Sequence, residues 1–270
     1  FILRPSEQYL TRELPVELLG NPTTPVAASV ATDVPFNIFE HNQELWLKTL
    51  AHVVLSPVER EEWLEMQGAT NRRVEWLFGR AAAKEATRRF LIKHHQARWT
   101  NADIPIWPDD SGKPHPLGPW SEHTSTKIDL SITHTSKLII AAVAANARIG
   151  IDIEILGRVL SEDFTRGVFT HEELELAAHT GEAPVTILRF WCAKEAISKA
   201  LGTGIRYSPQ DLRITAIDAV TGWLQIELLG QWLEPFKQLK GRKNPIYTTL
   251  YEGHAVATCL LPASLFEKPE

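Results

Sequence analysis

Two acids two residues apart, Asp152 and Glu154, lie in a stretch that alternates strictly, with Ile149, Ile151, Ile153 and Ile155 on one side and Gly150, Asp152, Glu154 and Leu156 on the other. A period of two marks a half-buried strand. It sets both carboxylates on one face, roughly 6.5–7 Å apart along the strand. Like charges at that spacing need water or a cation. Oxygen-rich sites of one to three carboxylates with room for phosphates suit magnesium rather than zinc, and no cluster of Cys and His competes for the assignment. A solvated strand face satisfies the same bare pattern. Further along, a helical pattern from about Val185 to Leu201 buries Phe190, Ala193, Ile197, Ala200 and Leu201 and turns Glu195 and Lys199 to the other side. Their i, i+4 spacing also describes an ordinary exposed ion pair.

Candidate phosphate ligands stand upstream. On a helix beginning near Asn71, Arg73, Arg80 and Lys84 fall within about 40° of one another, beside an apolar stripe of Val74, Leu77, Phe78 and Ala81. Arginine suits bidentate contact with phosphate, while a solvated basic helix face is the plainer reading. Gly112-Lys113-Pro114 reads as a turn, and Thr133-His134 as part of a strand. Taken singly, these are a common surface turn and a structural histidine.

The elements that must position these residues occur twice. Ala83-Lys84-Glu85-Ala86 and Ala193-Lys194-Glu195-Ala196 are near-identical tetrapeptides inside helical patterns. Upstream of each, Ser56-Pro57-Val58-Glu59 and Thr170-His171-Glu172-Glu173 form capping boxes that open a shorter helix. Strand patterns follow in both halves: Ile104 to Trp107, Leu130 to Thr135 and Leu138 to Ala145 in the first, Asp211 to Ile217, Trp223 to Leu229 and Tyr247 to Leu261 in the second. The expected fold is α+β, a pseudo-twofold duplication of two similar lobes, each a small sheet packed against a long helix. Residues 1–44 are expected to be an N-terminal extension or linker, with the small, proline-punctuated stretch 20–34 read as loop. Residues 45–148 and 149–262 form the two lobes, and 263–270 a tail. Glu85 continues the apolar stripe of its helix and is expected to be structural, paired with Arg88 or Arg89.

Composition narrows the class. With 44% hydrophobic and 23% charged residues, no uncharged apolar run approaches the roughly 18 residues of a membrane span. A net charge of −5 gives a nucleic acid no general attraction. Two cysteines without C-x-x-C spacing favour a reducing compartment, the cytoplasm by default. The first residue, Phe1, fits a segment cut from something longer.

Ile149-Gly150-Ile151-Asp152-Ile153-Glu154 followed by Trp191-Cys192-Ala193-Lys194-Glu195 and Lys199 resembles the paired signatures of 4′-phosphopantetheinyl transferases. Asp110 to Pro114 is similar to that family's Gly-Lys-Pro turn. Leu130 to Thr135 is similar to its Ser/Thr-His strand, with Ser131 where Asn is frequent, and Gly79-Arg80 to its Gly-Arg pair. The resemblance spans about Leu45 to Leu261 and is to the two-lobed, monomeric branch rather than the single-lobe trimeric one. It implies transfer of the 4′-phosphopantetheine arm of coenzyme A to a serine of an acyl or peptidyl carrier protein, with Mg²⁺, releasing 3′,5′-ADP. Residue by residue it implies Asp152, Glu154 and Glu195 as metal ligands, Glu195 also as base, and Lys199 on the substrate phosphates. Arg80, Lys113, Pro114, Thr133 and His134 would contact the coenzyme, with Arg73 or Arg72 as the further arginine. It leaves residues 1–44 as a linker or the end of a preceding module of a larger synthase. Two rivals remain at this point: a non-catalytic coenzyme A or nucleotide-binding module, and a metal-dependent nuclease or phosphohydrolase.

Overall fold

The computed structural model describes residues 11–32, 43–67, 70–95, 99–118, 127–135 and 138–267. The chain is mixed α/β and divides into two compact units. Residues 11–16, 24–110 and 114–145 contribute to one, and 17–23, 111–113 and 146–267 to the other.

In the first unit, β1 (Arg12–Glu13) and β2 (Val26–Thr32) precede helices α1 (Gln43–Val54), α2 (Pro57–Glu65) and α3 (Thr70–His95). Four short strands follow: β3 (Ile106–Pro108), β4 (Pro114–Pro116), β5 (Ile128–His134) and β6 (Leu138–Ala145). The antiparallel sheet has the order β1-β2-β6-β5, with β3 and β4 as a separate hairpin. Helix α3 packs across β2 and β6, burying Leu77, Ala81 and Phe90 against Leu130 and Val143.

The second unit runs β7 (Ala147–Ile155), α4 (Glu162–Val168), α5 (His171–Ala178) and α6 (Ala183–Leu201), then β8 (Leu212–Ile217), β9 (Trp223–Leu228), β10 (Asn244–Tyr251) and β11 (His254–Pro262). Its sheet has the order β7-β11-β10-β9-β8. Helix α6 lies on β7 and β11, and Phe190, Ile197 and Ala200 meet Leu228, Trp232 and Ile246 in the core. From β2 onward in the first unit and from β7 in the second, the order strand, helix, capped helix, long helix, four strands is common to both among the described residues.

Both expected capping boxes form, at Ser56 with Glu59 and at Thr170 with Glu173. Each capping glutamate also has a further use. Glu59 Oε2 accepts from the Ser56 backbone N–H (2.9 Å) and from Lys84 Nζ (2.5 Å), while its Oε1 accepts from the Ile106 N–H (3.0 Å). Glu173 repeats this with the Thr170 N–H (2.8 Å), Lys194 Nζ (2.9 Å) and the Ile214 N–H (2.8 Å). All four side chains are fully buried, so each pair ties a long helix, a short helix and a strand in surroundings where an unpartnered charge would be very costly.

Two expectations need correcting. Residues 26–32 are not linker but a strand between β1 and β6; their small residues lack the strong period of a half-exposed strand, and pairing with the wholly buried β6 decides their conformation. Residues 33–34, with 1–10 and 268–270, lie outside the described residues. Within the expected tail, Leu265 and Phe266 pack on the second core, and Phe266 lies under the Arg148 guanidinium at 3.8 Å. The run Tyr247 to Leu261 is a hairpin, β10 and β11, turned at Glu252-Gly253, both with positive φ.

Candidate active site

Gly150 decides how the site is built. A Cβ there would lie 1.8 Å from the Ala196 carbonyl oxygen and 2.6 Å from the Ala200 nitrogen, so only glycine lets the α6 backbone rest directly on β7. The face of Gly150, Asp152 and Glu154 is therefore covered by a helix. The half-exposed strand expected from the alternation is instead buried on both faces from Ile149 to Ile153. The period of two holds along β7, but alternation cannot say what lies above a face. Residues i+2 on the strand and i+4 on the helix advance by similar lengths, about 6–7 Å. Asp152 and Glu154 consequently meet a ridge of Trp191, Glu195 and Lys199 rather than solvent.

Contacts along this ridge are specific. Lys199 Nζ donates to Asp152 Oδ1 at 2.6 Å and to the Ile151 carbonyl at 3.4 Å, so its charge is given to the strand acid. Glu154 Oε1 accepts from Trp191 Nε1 at 3.1 Å and from the Arg158 guanidinium. Glu195 is half-buried, and its carboxyl is pushed up to about 7, chiefly by burial and then by the negative charge of Asp152, with Lys199 opposing and Glu154 adding a smaller push. The neighbouring Cys192 thiol is raised well above its usual range by burial and by the same two acids.

These groups suit a hard divalent cation in kind: the carboxylates of Asp152, Glu154 and Glu195 are all oxygen donors, and the charge of the two strand acids reaches Glu195, whose carboxyl is raised mainly by burial. Among the described residues no three ligating side chains converge into a ready-made metal cage. Asp152 is engaged by Lys199, and Glu154 by Arg158 and Trp191.

Lys113 belongs to the same unit. Gly112, at φ +87°, turns the chain between β3 and β4, and Lys113 Nζ donates to the Ala200 carbonyl at 3.2 Å. Its cation thus sits where the carbonyl end of α6 favours positive charge. Pro114 opens β4 in the first unit. Thr133 is buried in β5, and His134, the last residue of that strand, is exposed.

Arg73 and Arg80 are two turns apart on α3 and each lies over an indole: Arg73 over Trp63 at 4.3 Å, Arg80 over Trp76 at 4.4 Å. Such stacking holds a guanidinium while leaving its edge able to donate. Arg72 is exposed. Lys84 does not extend the basic stripe. It is buried against Glu59, because its long stem reaches inward to the capping box. Glu85 is buried, and its carboxylate is held by both Arg88 and Arg89 at 2.7–2.8 Å.

Arg158 was missed in the sequence. A residue four places beyond Glu154 is not its neighbour on a strand; the left-handed Gly157 (φ +85°) folds the chain back, and a strand-end glycine was the one available signal. Arg148, which donates to the Leu201 carbonyl at 3.4 Å, was likewise missed.

The family model of the 4′-phosphopantetheinyl transferase superfamily matches residues 148–259, the span that carries β7 and α6. The holo-[acyl-carrier-protein] synthase of Dinoroseobacter shibae is 32% identical over 116 residues, 39% of this chain and 82% of that protein. The synthase of the same name from Hydrogenovibrio crunogenus is 34% identical over 124 residues, 43% of this chain and 95% of that protein. The chain belongs to the 4′-phosphopantetheinyl transferase superfamily. Within this transferase, Asp152, Glu154, Glu195 and Lys199 all fall inside the matched span, and Arg73, Arg80, Lys113, Pro114, Thr133 and His134 outside it. A solved holo-(acyl-carrier-protein) synthase from Bacillus anthracis, in complex with CoA (3′,5′-ADP), aligns with 45% of the transferase chain and 95% of its own. The two share 24% identity, with a TM-score of 0.35. No described helix is long and apolar enough to cross a membrane.

Proposed function

We propose that this transferase moves the 4′-phosphopantetheine group of coenzyme A to a serine of an acyl or peptidyl carrier protein, with Mg²⁺, releasing 3′,5′-ADP. The observation that carries the reading is the meeting of Asp152 and Glu154 on β7 with Glu195 and Lys199 on α6, inside the span shared with the family. The names of the relatives, holo-[acyl-carrier-protein] synthases, support the substrate class.

Asp152, Glu154 and Glu195 would hold Mg²⁺, which supplies charge neutralisation at the pyrophosphate. Glu195, or water it polarises, takes the proton of the carrier serine hydroxyl. The serine oxygen bonds to the β-phosphorus as the bond from that phosphorus to the bridging oxygen breaks, and 3′,5′-ADP leaves with the electron pair. Lys199 steadies phosphate oxygens, a role that needs its hold on Asp152 to be shared. Arg73 and Arg80, fixed on their indoles, are proposed as phosphate ligands of the coenzyme, with Lys113, Pro114, Thr133 and His134 as further contacts. Positioning and electrostatics supply the acceleration, and no covalent enzyme intermediate is formed.

We further infer that the two units are diverged copies of one lobe related by a pseudo-twofold, and that the enzyme acts as a monomer in the cytoplasm. The recurrent glutamate, lysine and strand N–H contacts support the first, and the two free buried cysteines, Cys192 and Cys259, fit a reducing compartment.

Incubating a purified apo carrier protein with the chain, coenzyme A and Mg²⁺ should add one phosphopantetheine, roughly 340 Da by mass spectrometry. The gain should vanish with Glu195→Gln or without metal. Absence of any gain across acyl and peptidyl carriers, with coenzyme A binding intact, would replace the reading with a non-catalytic coenzyme A-binding module.

A further inference from the structure

Two of the three acids proposed to hold Mg²⁺, Asp152 and Glu154, are each engaged by a cationic side chain, and the two cations are not alike. Lys199 reaches Asp152 from the half-buried ridge of α6 and has the phosphate role proposed above. Arg158 comes from the turn after β7, is 41% exposed, and closes on a Glu154 side chain that is only 15% exposed. Its guanidinium lies 5.9 Å from the ring of Phe164, which in turn meets the Trp191 ring edge-on at 5.0 Å. Trp191 donates to the same Glu154 oxygen, Oε1.

From this we propose that Arg158 is an internal counter-ion of the metal site, occupying Glu154 in place of a divalent cation and leaving that carboxylate when the cation is bound. The inference rests on the Mg²⁺ reading given above. Two donors already share Glu154 Oε1, so the lone pairs a metal would use there are taken. A fixed positive charge beside the acid also opposes a second, doubly charged one. Release is feasible because the pair is partly open to solvent, where such pairs contribute little. Gly157, in the left-handed region, and the exposed Val159 flank Arg158, so its turn is lightly packed. Trp191, anchored in α6, keeps its bond to Glu154 and holds the carboxylate at the site after Arg158 has gone.

The test is a direct Mn²⁺ titration of the chelator-stripped full chain, read from the electron paramagnetic resonance signal of free Mn²⁺. Arg158→Gln should bind Mn²⁺ roughly fivefold more tightly than the unaltered chain, the size expected for removing one partly screened charge. Arg158→Lys, which keeps the charge, should stay near the unaltered affinity, and Glu154→Gln in the Arg158→Gln background should erase the gain. Equal affinity of the unaltered chain and Arg158→Gln would overturn the counter-ion while leaving the metal site standing. Weaker binding by Arg158→Gln would also overturn it, making Arg158 a support of Glu154. No Mn²⁺ binding by either protein at millimolar metal would sink the counter-ion together with the metal reading.

Discussion

Glu195 concentrates the electrostatics of the site in one side chain. Burial and the charge of Asp152 raise its carboxyl from the usual 4.5 to about 7, so the folded protein binds a proton there more tightly than the unfolded chain does. The sign follows from linkage: stability from this group is fully present below pH 4.5 and is lost as pH rises through about 7. In metal-free buffer, the stability of the unaltered chain relative to Glu195→Gln should therefore fall between those limits. Saturating Mg²⁺ should reverse the fall by favouring the ionised carboxylate. Urea denaturation midpoints at half-unit pH steps measure both, and a flat difference across that range would mean Glu195 titrates as an ordinary surface acid.

At the scale of elements, position is set by two devices: a glycine that lets α6 touch β7, and a buried ion pair that ties α6 to α5 and β8. Lys194 stands next to Glu195 in the chain yet points away from it, donating to Glu173 and to the carbonyls of Val168 and Pro209. Adjacent residues of one motif thus divide between holding the helix and lining the proposed site. Removing one member of a buried pair strands the other's charge, so Lys194→Met should cost about 3–5 kcal/mol. Lys84→Met should cost a similar amount through Glu59, and Lys194→Met combined with Glu173→Leu should recover part of the loss. Chemical denaturation gives the values; a cost below about 1 kcal/mol would place these pairs with solvated ones.

Across the whole molecule, two units with a similar order of elements carry different acids. The strand β2, Val-Ala-Ala-Ser-Val-Ala-Thr, has no acid where β7 carries Asp152 and Glu154, and Glu85 is committed to Arg88 and Arg89. Glu85→Gln should weaken the fold by about 1–3 kcal/mol, the cost of loosening a buried charged network, while the folded protein transfers at the unaltered rate. Glu195→Gln should do the reverse. Carrier modification followed by mass spectrometry, alongside thermal denaturation of both variants, separates the two; loss of transfer in folded Glu85→Gln would return that residue to the chemistry.

Local chemistry explains which parts were readable from the chain. Capping boxes, the α6 apolar face and the alternation of β7 depend on residues within one or two turns of each other, and so does the placement of Glu85 on the buried stripe of α3. The pairing of the β7 acids with Glu195 and Lys199 was legible as a motif. That Gly150 is the contact point of helix and strand was not, because a glycine in a strand does not announce its neighbour. Partners distant in sequence or brought round by a turn escaped in the same way: Lys84 with Glu59, Lys113 with the end of α6, β2 with β6, Arg158 with Glu154. Side-chain type and period determine what a residue can do and which face it occupies; only the packed chain decides which charge meets which, since that is set by the approach of backbones far apart in sequence.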